Sequence, residues 1–174
     1  MNSKAVLFAV IGLSMLPGLV WGADDAVFDA HPSPAPSVNQ QPVLELYVTL
    51  TDKVAIGASD DGERFIVPIT GGYFVGKDIK GEVMPGGADW QVVRDDGVKT
   101  ITALYSIRTD DGQVIVVDNR GIAVDEEGDQ YRMTHPHFHA PQGKYDWLNK
   151  RMFVGTITSI ASPRAVVIRV YEVN

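Results

Sequence analysis

The chain contains no cysteine. That excludes a disulfide framework, a thiol nucleophile, a thiolate metal site and a lipidated cysteine. Positive charge is also scarce: 15 Lys and Arg stand against 22 Asp and Glu, a formal net charge of −7. Such a surface repels phosphate backbones, so nucleic acid is not an expected partner. Beyond the N-terminus no apolar run is long enough to span a bilayer as a helix. No window shows a sustained 3.6-residue apolar period either, which argues against a helical fold. Phosphate loop, nucleophile elbow, zinc-peptidase and dinucleotide signatures are all missing.

At 174 residues the chain suffices for one domain with a real core and is short for two. Residues 1–23 read as an export signal. Lys4 gives a positive start, Ala5 to Val20 is apolar with a break at Pro17-Gly18, and Gly22-Ala23 supplies small residues for cleavage. The expected location is therefore periplasmic or secreted, with no membrane attachment after cleavage. Residues 24–42 read as a proline-rich flexible tether, because His31 to Ser37 alternates proline with small residues. The folded domain is expected over residues 43–174.

That domain reads almost wholly as strand. Expected strands are Val43 to Leu50, Arg64 to Pro68, Tyr73 to Val75, Ile79 to Met84, Asp89 to Arg94, Thr100 to Thr109, Val114 to Val117, Gln130 to His139, Met152 to Ile160 and Ala165 to Val173. Thr100 to Thr109 shows the clearest alternation, with Ile101, Ala103, Tyr105 and Ile107 on one face. Asp60-Asp61-Gly62, Asp95-Asp96-Gly97 and Asp110-Asp111-Gly112 supply hairpin turns, since Asp-Gly accommodates the positive φ those turns need. About nine or ten short antiparallel strands imply a sandwich or a barrel, and closure without exposed edges favours a single barrel with little helix. Such a barrel is packed inside or holds one small ligand.

Several motifs recur in a known order. They are Pro68-Ile69-Thr70-Gly71-Gly72, then Gly81 to Gln91 with Met84-Pro85-Gly86-Gly87-Ala88-Asp89-Trp90 at its heart. Tyr105 to Gly112 and Asn119-Arg120-Gly121 follow, then Trp147-Leu148-Asn149 and Val167 to Val173. The chain thereby resembles the domain-of-unknown-function family 3237 of bacteria and fungi, over roughly Val43 to Val173. The resemblance implies a calycin-like, lipocalin-like antiparallel barrel and no family-wide activity. The family pattern carries an acidic residue just after the Phe138 position, where this chain has His139.

Asp89 is the leading candidate for chemistry. Beside Trp90 it would be partly desolvated, which raises a carboxyl pKa toward an acid/base range; alternatively it caps the glycine turn before it. Arg120, read at a strand end, could clamp an oxyanion or pair with Asp118. Trp90, Tyr105, Trp147 and Tyr171 could wall a cavity or simply pack a core. Asn149 suits a carbonyl ligand or a backbone lock. His135, His137 and His139 share a strand face, but successive same-face residues lie ~6.5 Å apart, too far for one ion to reach both ends easily. A polar outer face, one pocket histidine (His139) and a metal site are the competing readings there, and no cofactor is expected. The function expected from all this is binding of a small, aromatic or carbonyl-bearing molecule. A non-hydrolytic acid/base enzyme using Asp89 is the alternative, and histidine-dependent metal binding a third.

Overall fold

The computed structural model describes residues 25–126 and 129–174. The export-signal reading of residues 1–23 lies outside the described residues. The chain divides into two units, residues 1–35 and 36–174. In the first, a short helix α1 spans Asp25–Ala30. It lies within the segment read as tether and stops before the prolines of His31 to Ser37 begin, as expected where proline withholds the backbone N–H groups a helix needs.

Among the described residues of the second unit the regular elements are strands and one turn of 3-10 helix at Asp146–Lys150. Its strands are β1 (Leu44–Leu50), β2 (Val54–Ser59), β3 (Gly62–Gly76), β4 (Ile79–Val83), β5 (Ala88–Val93), β6 (Lys99–Thr109), β7 (Val114–Glu126), β8 (Asp129–His139), β9 (Met152–Ile160) and β10 (Ala165–Val173). β1 pairs with β10 on one side and with β3 on the other, which closes the sheet. The result is an antiparallel eight-stranded barrel with two extra strands. Pairing to β10 already begins upstream of Val43, where Ser37 and Asn174 exchange backbone hydrogen bonds of 2.8 Å.

The alternation expected for β6 holds: Ile101, Ala103, Tyr105 and Ile107 are all buried. All three Asp-Asp-Gly turns link consecutive strands, at β2–β3, β5–β6 and β6–β7. β7 runs well past Val117, so Asp118, Asn119 and Arg120 lie inside a long strand and not at its end. β2 was not expected. Its sequence, Val-Ala-Ile-Gly-Ala-Ser, is exposed throughout and pairs only with β3; a strand that buries neither face leaves no apolar alternation to read.

The two glycine pairs also act differently from a sequence reading. Gly71-Gly72 does not separate two strands. It bends β3, and the register with β1 shifts beside it, between Thr49 and Leu50. Gly72 has φ +136° and lies so close to the Tyr47 carbonyl that a Cβ there would clash at 1.9 Å. Met84 to Gly87 does not join antiparallel neighbours. β4 and β5 occupy one lane, each pairing with both β3 and β6. The glycine turn interrupts that lane and is tied to the bend in β3, with Ile69 N–H donating to the Gly87 carbonyl and Gly86 N–H donating to the Ile69 carbonyl.

The interior is divided along the barrel axis. One half is packed by Leu44, Leu46, Phe74, Ile107, Ile115 and Phe138 among others. Its end is stoppered by Tyr145 and Leu148 from the β8–β9 connection, both almost wholly buried. The Tyr145 hydroxyl donates to Asp111 in the β6–β7 turn at 2.9 Å, fixing the stopper to the wall. The other half is not filled.

Candidate functional site

The unfilled half holds a cavity of about 510 Å³, within the range of small-molecule sites. Its wall is mainly aliphatic, including Val67, Ile69, Ile101, Ile157 and Ile168. Polar groups enter at a defined level. The register pairs Asp89 of β5 with Ala103 of β6, and Ala103 with Asn119 of β7. Three inward residues therefore form one row across the wall. Neighbouring Cα atoms in antiparallel pairs lie ~5 Å apart, so Asp89 and Asn119 flank a bare methyl with about 10 Å between their backbones. Tyr105 is the next inward residue of β6. Gly87 makes room for it, since a Cβ at Gly87 would come within 2.4 Å of the Tyr105 Cβ.

The row is electrostatically unusual. Asp89 receives a hydrogen bond from Gln91 Nε2 at 2.5 Å through one oxygen. Its other oxygen, Oδ1, is buried without a partner, and so is Oδ1 of Asn119. Burial pushes the Asp89 carboxyl above its ordinary pKa, against the opposing pulls of the Gln91 hydrogen bond and the Lys99 charge. The Tyr105 phenol is also pushed up, first by burial and then by the neighbouring Asp89 charge. Buried acceptors without donors cost free energy, on the order of 1–3 kcal/mol each. A third such atom, Thr134 Oγ1, lies outside the cavity wall, whereas the two on the row face a space where a bound molecule or water can supply the donor.

The other sequence-picked residues lie elsewhere. Trp90 alternates with Asp89 and is half-exposed on the outer wall. Arg120 forks onto Asp118, at 3.1 and 2.9 Å, in an exposed pair. His135, His137 and His139 are exposed while Pro136 and Phe138 between them are buried, so the three imidazoles decorate the outside. The rings of His135 and His137 meet edge to face at 5.8 Å. Among the described residues no group of three His, Asp or Glu side chains is arranged to hold a metal ion. Trp147 packs edge-on against Phe153 near the stoppered end. Asn149 locks the backbone of Ala140, accepting from its N–H at 2.8 Å and donating to its carbonyl at 2.9 Å. Tyr171 follows buried Val170 and lies outside the cavity wall.

Of the candidates read from sequence, Asp89 and Tyr105 thus meet at the cavity. Asn119, Gln91, Lys53, Lys99, Arg132 and Arg164, which also line the cavity, are not singled out by the sequence. Asn119 carried a usable signal: Ile115, Val117, Asn119, Gly121 and Ala123 form one inward face of β7, and the amide is its one strongly polar member.

A family model described as "Protein of unknown function (DUF3237)" matches residues 38–173. A UPF0311 protein of Clostridium acetobutylicum is 31% identical over 153 residues, covering 79% of this chain and 95% of that protein. Among solved structures, a conserved protein of unknown function from Rhodopseudomonas palustris superposes with TM-score 0.74 at 33% identity, covering 82% of this chain and all of that one. A protein described as β-barrel-like from Acinetobacter baumannii gives TM-score 0.74 at 30% identity, covering 83% and 99%.

Proposed function

This chain belongs to the DUF3237 family of proteins of unknown function, and from that premise we propose that it binds a small organic molecule in the open half of its barrel. The observation carrying this reading is the pair of unpartnered buried oxygens, Asp89 Oδ1 and Asn119 Oδ1, on the wall of an otherwise aliphatic cavity. They select for a ligand that brings a hydrogen-bond donor, such as a phenol or an enol, on a flat apolar body. The export signal read in residues 1–23 supports a site of action in the periplasm or outside the cell, and the mass of the mature protein tests that part.

Native mass spectrometry of freshly purified protein tests the binding reading. The expected result is a co-purifying small molecule that is lost in Asp89→Asn while the fold is retained. A protein that carries nothing and takes up no phenolic probe in titration defeats it.

One observation favours a second reading in the same cavity. Asp89 is pushed toward a working acid/base range beside the buried Tyr105 phenol. Asp89 then moves a proton on the bound molecule, as in an isomerase, cyclase or lyase. Arg120 takes no part, because it points away from the cavity. Turnover of a co-purified ligand that survives Asp89→Asn rules this second reading out.

A further inference from the structure

The charge of the cavity runs opposite to that of the chain. The molecule carries a formal −7, yet the charged residues lining the cavity are Lys53, Lys99, Arg132 and Arg164 against Asp89 alone. The four cations are not spread along the wall. Lys99 and Arg132 both flank Ala123 in register, toward the open end of β6, β7 and β8. Lys53 lies in the β1–β2 connection and Arg164 just before β10.

These cations also differ in how far they are already neutralised. Arg132 donates twice to Asp125, at 2.8 and 2.6 Å, and once to Ser159, so it is committed to the wall. Arg164 reaches Asp52 only at 3.4 Å, and that carboxylate is 98% exposed, a contact that water screens to little effect. The Lys53 ammonium lies 4.1 Å over the Phe65 ring. Among the described residues the ion-paired lysines are Lys80, Lys144 and Lys150; Lys53 and Lys99 are not among them. Three cations with spare capacity therefore ring the entrance to an apolar cleft, a geometry that focuses field on an incoming anion.

We propose that the ligand is an organic acid bound end-on, its anionic group at the mouth among Lys53, Lys99 and Arg164 and its donor at the deep row of Asp89 and Asn119. This rests on the cavity-binding reading above and adds the ligand's charge and orientation. The strand fixes the length. Lys99 pairs with Val93, four residues along β5 from Asp89, so the two levels are ~13 Å apart at ~3.3 Å per residue. The reach of a lysine side chain shortens this to the span of a hydroxylated aryl acid. Its middle lies against Ile101, Val67 and Ile168. A deep carboxylate and a cationic mouth fix the direction of entry, since the reversed ligand would set its anion beside Asp89.

Isothermal titration of para-hydroxycinnamate and of its uncharged methyl ester tests this in the wild type and in Lys53→Gln/Lys99→Gln. The expected result is that the acid binds at least ~10-fold more tightly than the ester at low salt, equivalent to 1.4 kcal/mol. Most of that advantage disappears in the double variant, and it shrinks in the wild type at high salt. An ester that binds as tightly as the acid, or an advantage that survives the double variant, overturns the inference while leaving the cavity reading intact. Failure of both compounds to bind the wild type, or binding of both unchanged when Val166→Phe narrows the cavity, removes the cavity reading and this inference with it.

Discussion

Enlarging two cavity side chains tests, by the sign of a stability change, whether the open half of the barrel is hollow. Val93 of β5 and Val166 of β10 both line the cavity and both are only partly buried. Val→Ile adds one methylene at each and keeps the β-branching that suits a strand. In a hollow barrel each added group leaves water for an aliphatic wall, a gain of up to ~0.8 kcal/mol. The two strands do not pair with each other, so the effects should nearly add, to a ceiling of ~1.6 kcal/mol. For a chain of this size ~1 kcal/mol moves Tm by ~2–4 °C. Val93→Ile/Val166→Ile should therefore melt higher than the wild type, by at most roughly 3–6 °C, read by circular dichroism at fixed pH. A packed interior gives the opposite sign, because an extra methylene forced into a filled core costs ~1–3 kcal/mol. A lower Tm refutes the reasoning on which the cavity stands.

Asp89 and Gly87 give sharper local tests. The Asp89 carboxyl has its folded-state pKa raised above the unfolded value. Its burden is thus absent below the unfolded pKa and fully present once pH exceeds the folded one. Asp89→Asn should accordingly be more stable than the wild type in urea melts at pH ~8, with the difference fading toward pH ~4; a gap that widens on acidification contradicts the assignment. Gly87→Ala places a methyl 2.4 Å from the Tyr105 Cβ and 2.8 Å from the Leu104 carbonyl. The expected loss is ~1–3 kcal/mol, as for other overpacked sites, with a weakened affinity for phenolic probes. An unchanged urea midpoint shows that the turn yields more easily than the contact implies.

The barrel was legible where chemistry repeats along the chain. Alternation exposed β6, and Asp-Gly pairs marked three hairpins, because both signals depend on neighbours in sequence. What escaped depends on neighbours in space. β2 leans on β3 alone and buries nothing, so its residues carry no alternation. Trp90 and Asp89 are adjacent in sequence, which suggests that the indole desolvates the carboxylate, yet the pleat sends them to opposite sides of the wall. Arg120 reads as a strand end in sequence, but in the barrel Gly121 beside it sits in mid-strand, where a Cβ would strike the Met133 carbonyl at 2.2 Å. The cationic mouth was invisible for the same reason. Its residues are separated by more than a hundred positions from Lys53 to Arg164, and only closure of the barrel gathers them.

The interrupted lane of β4 and β5 has an evolutionary consequence. Between the two segments the pairing offset changes by one residue against β3 and by two against β6. Inward and outward positions on β5 are therefore set by the length of the stretch from Met84 to Gly87. Loss or gain of one residue there that the turn fails to absorb slides β5 by one step and exchanges its faces. Asp89 and Gln91 then leave the interior, and Trp90 and Val92 enter it. A single codon deletion could thus exchange the chamber's one carboxylate for an indole without a substitution in its wall.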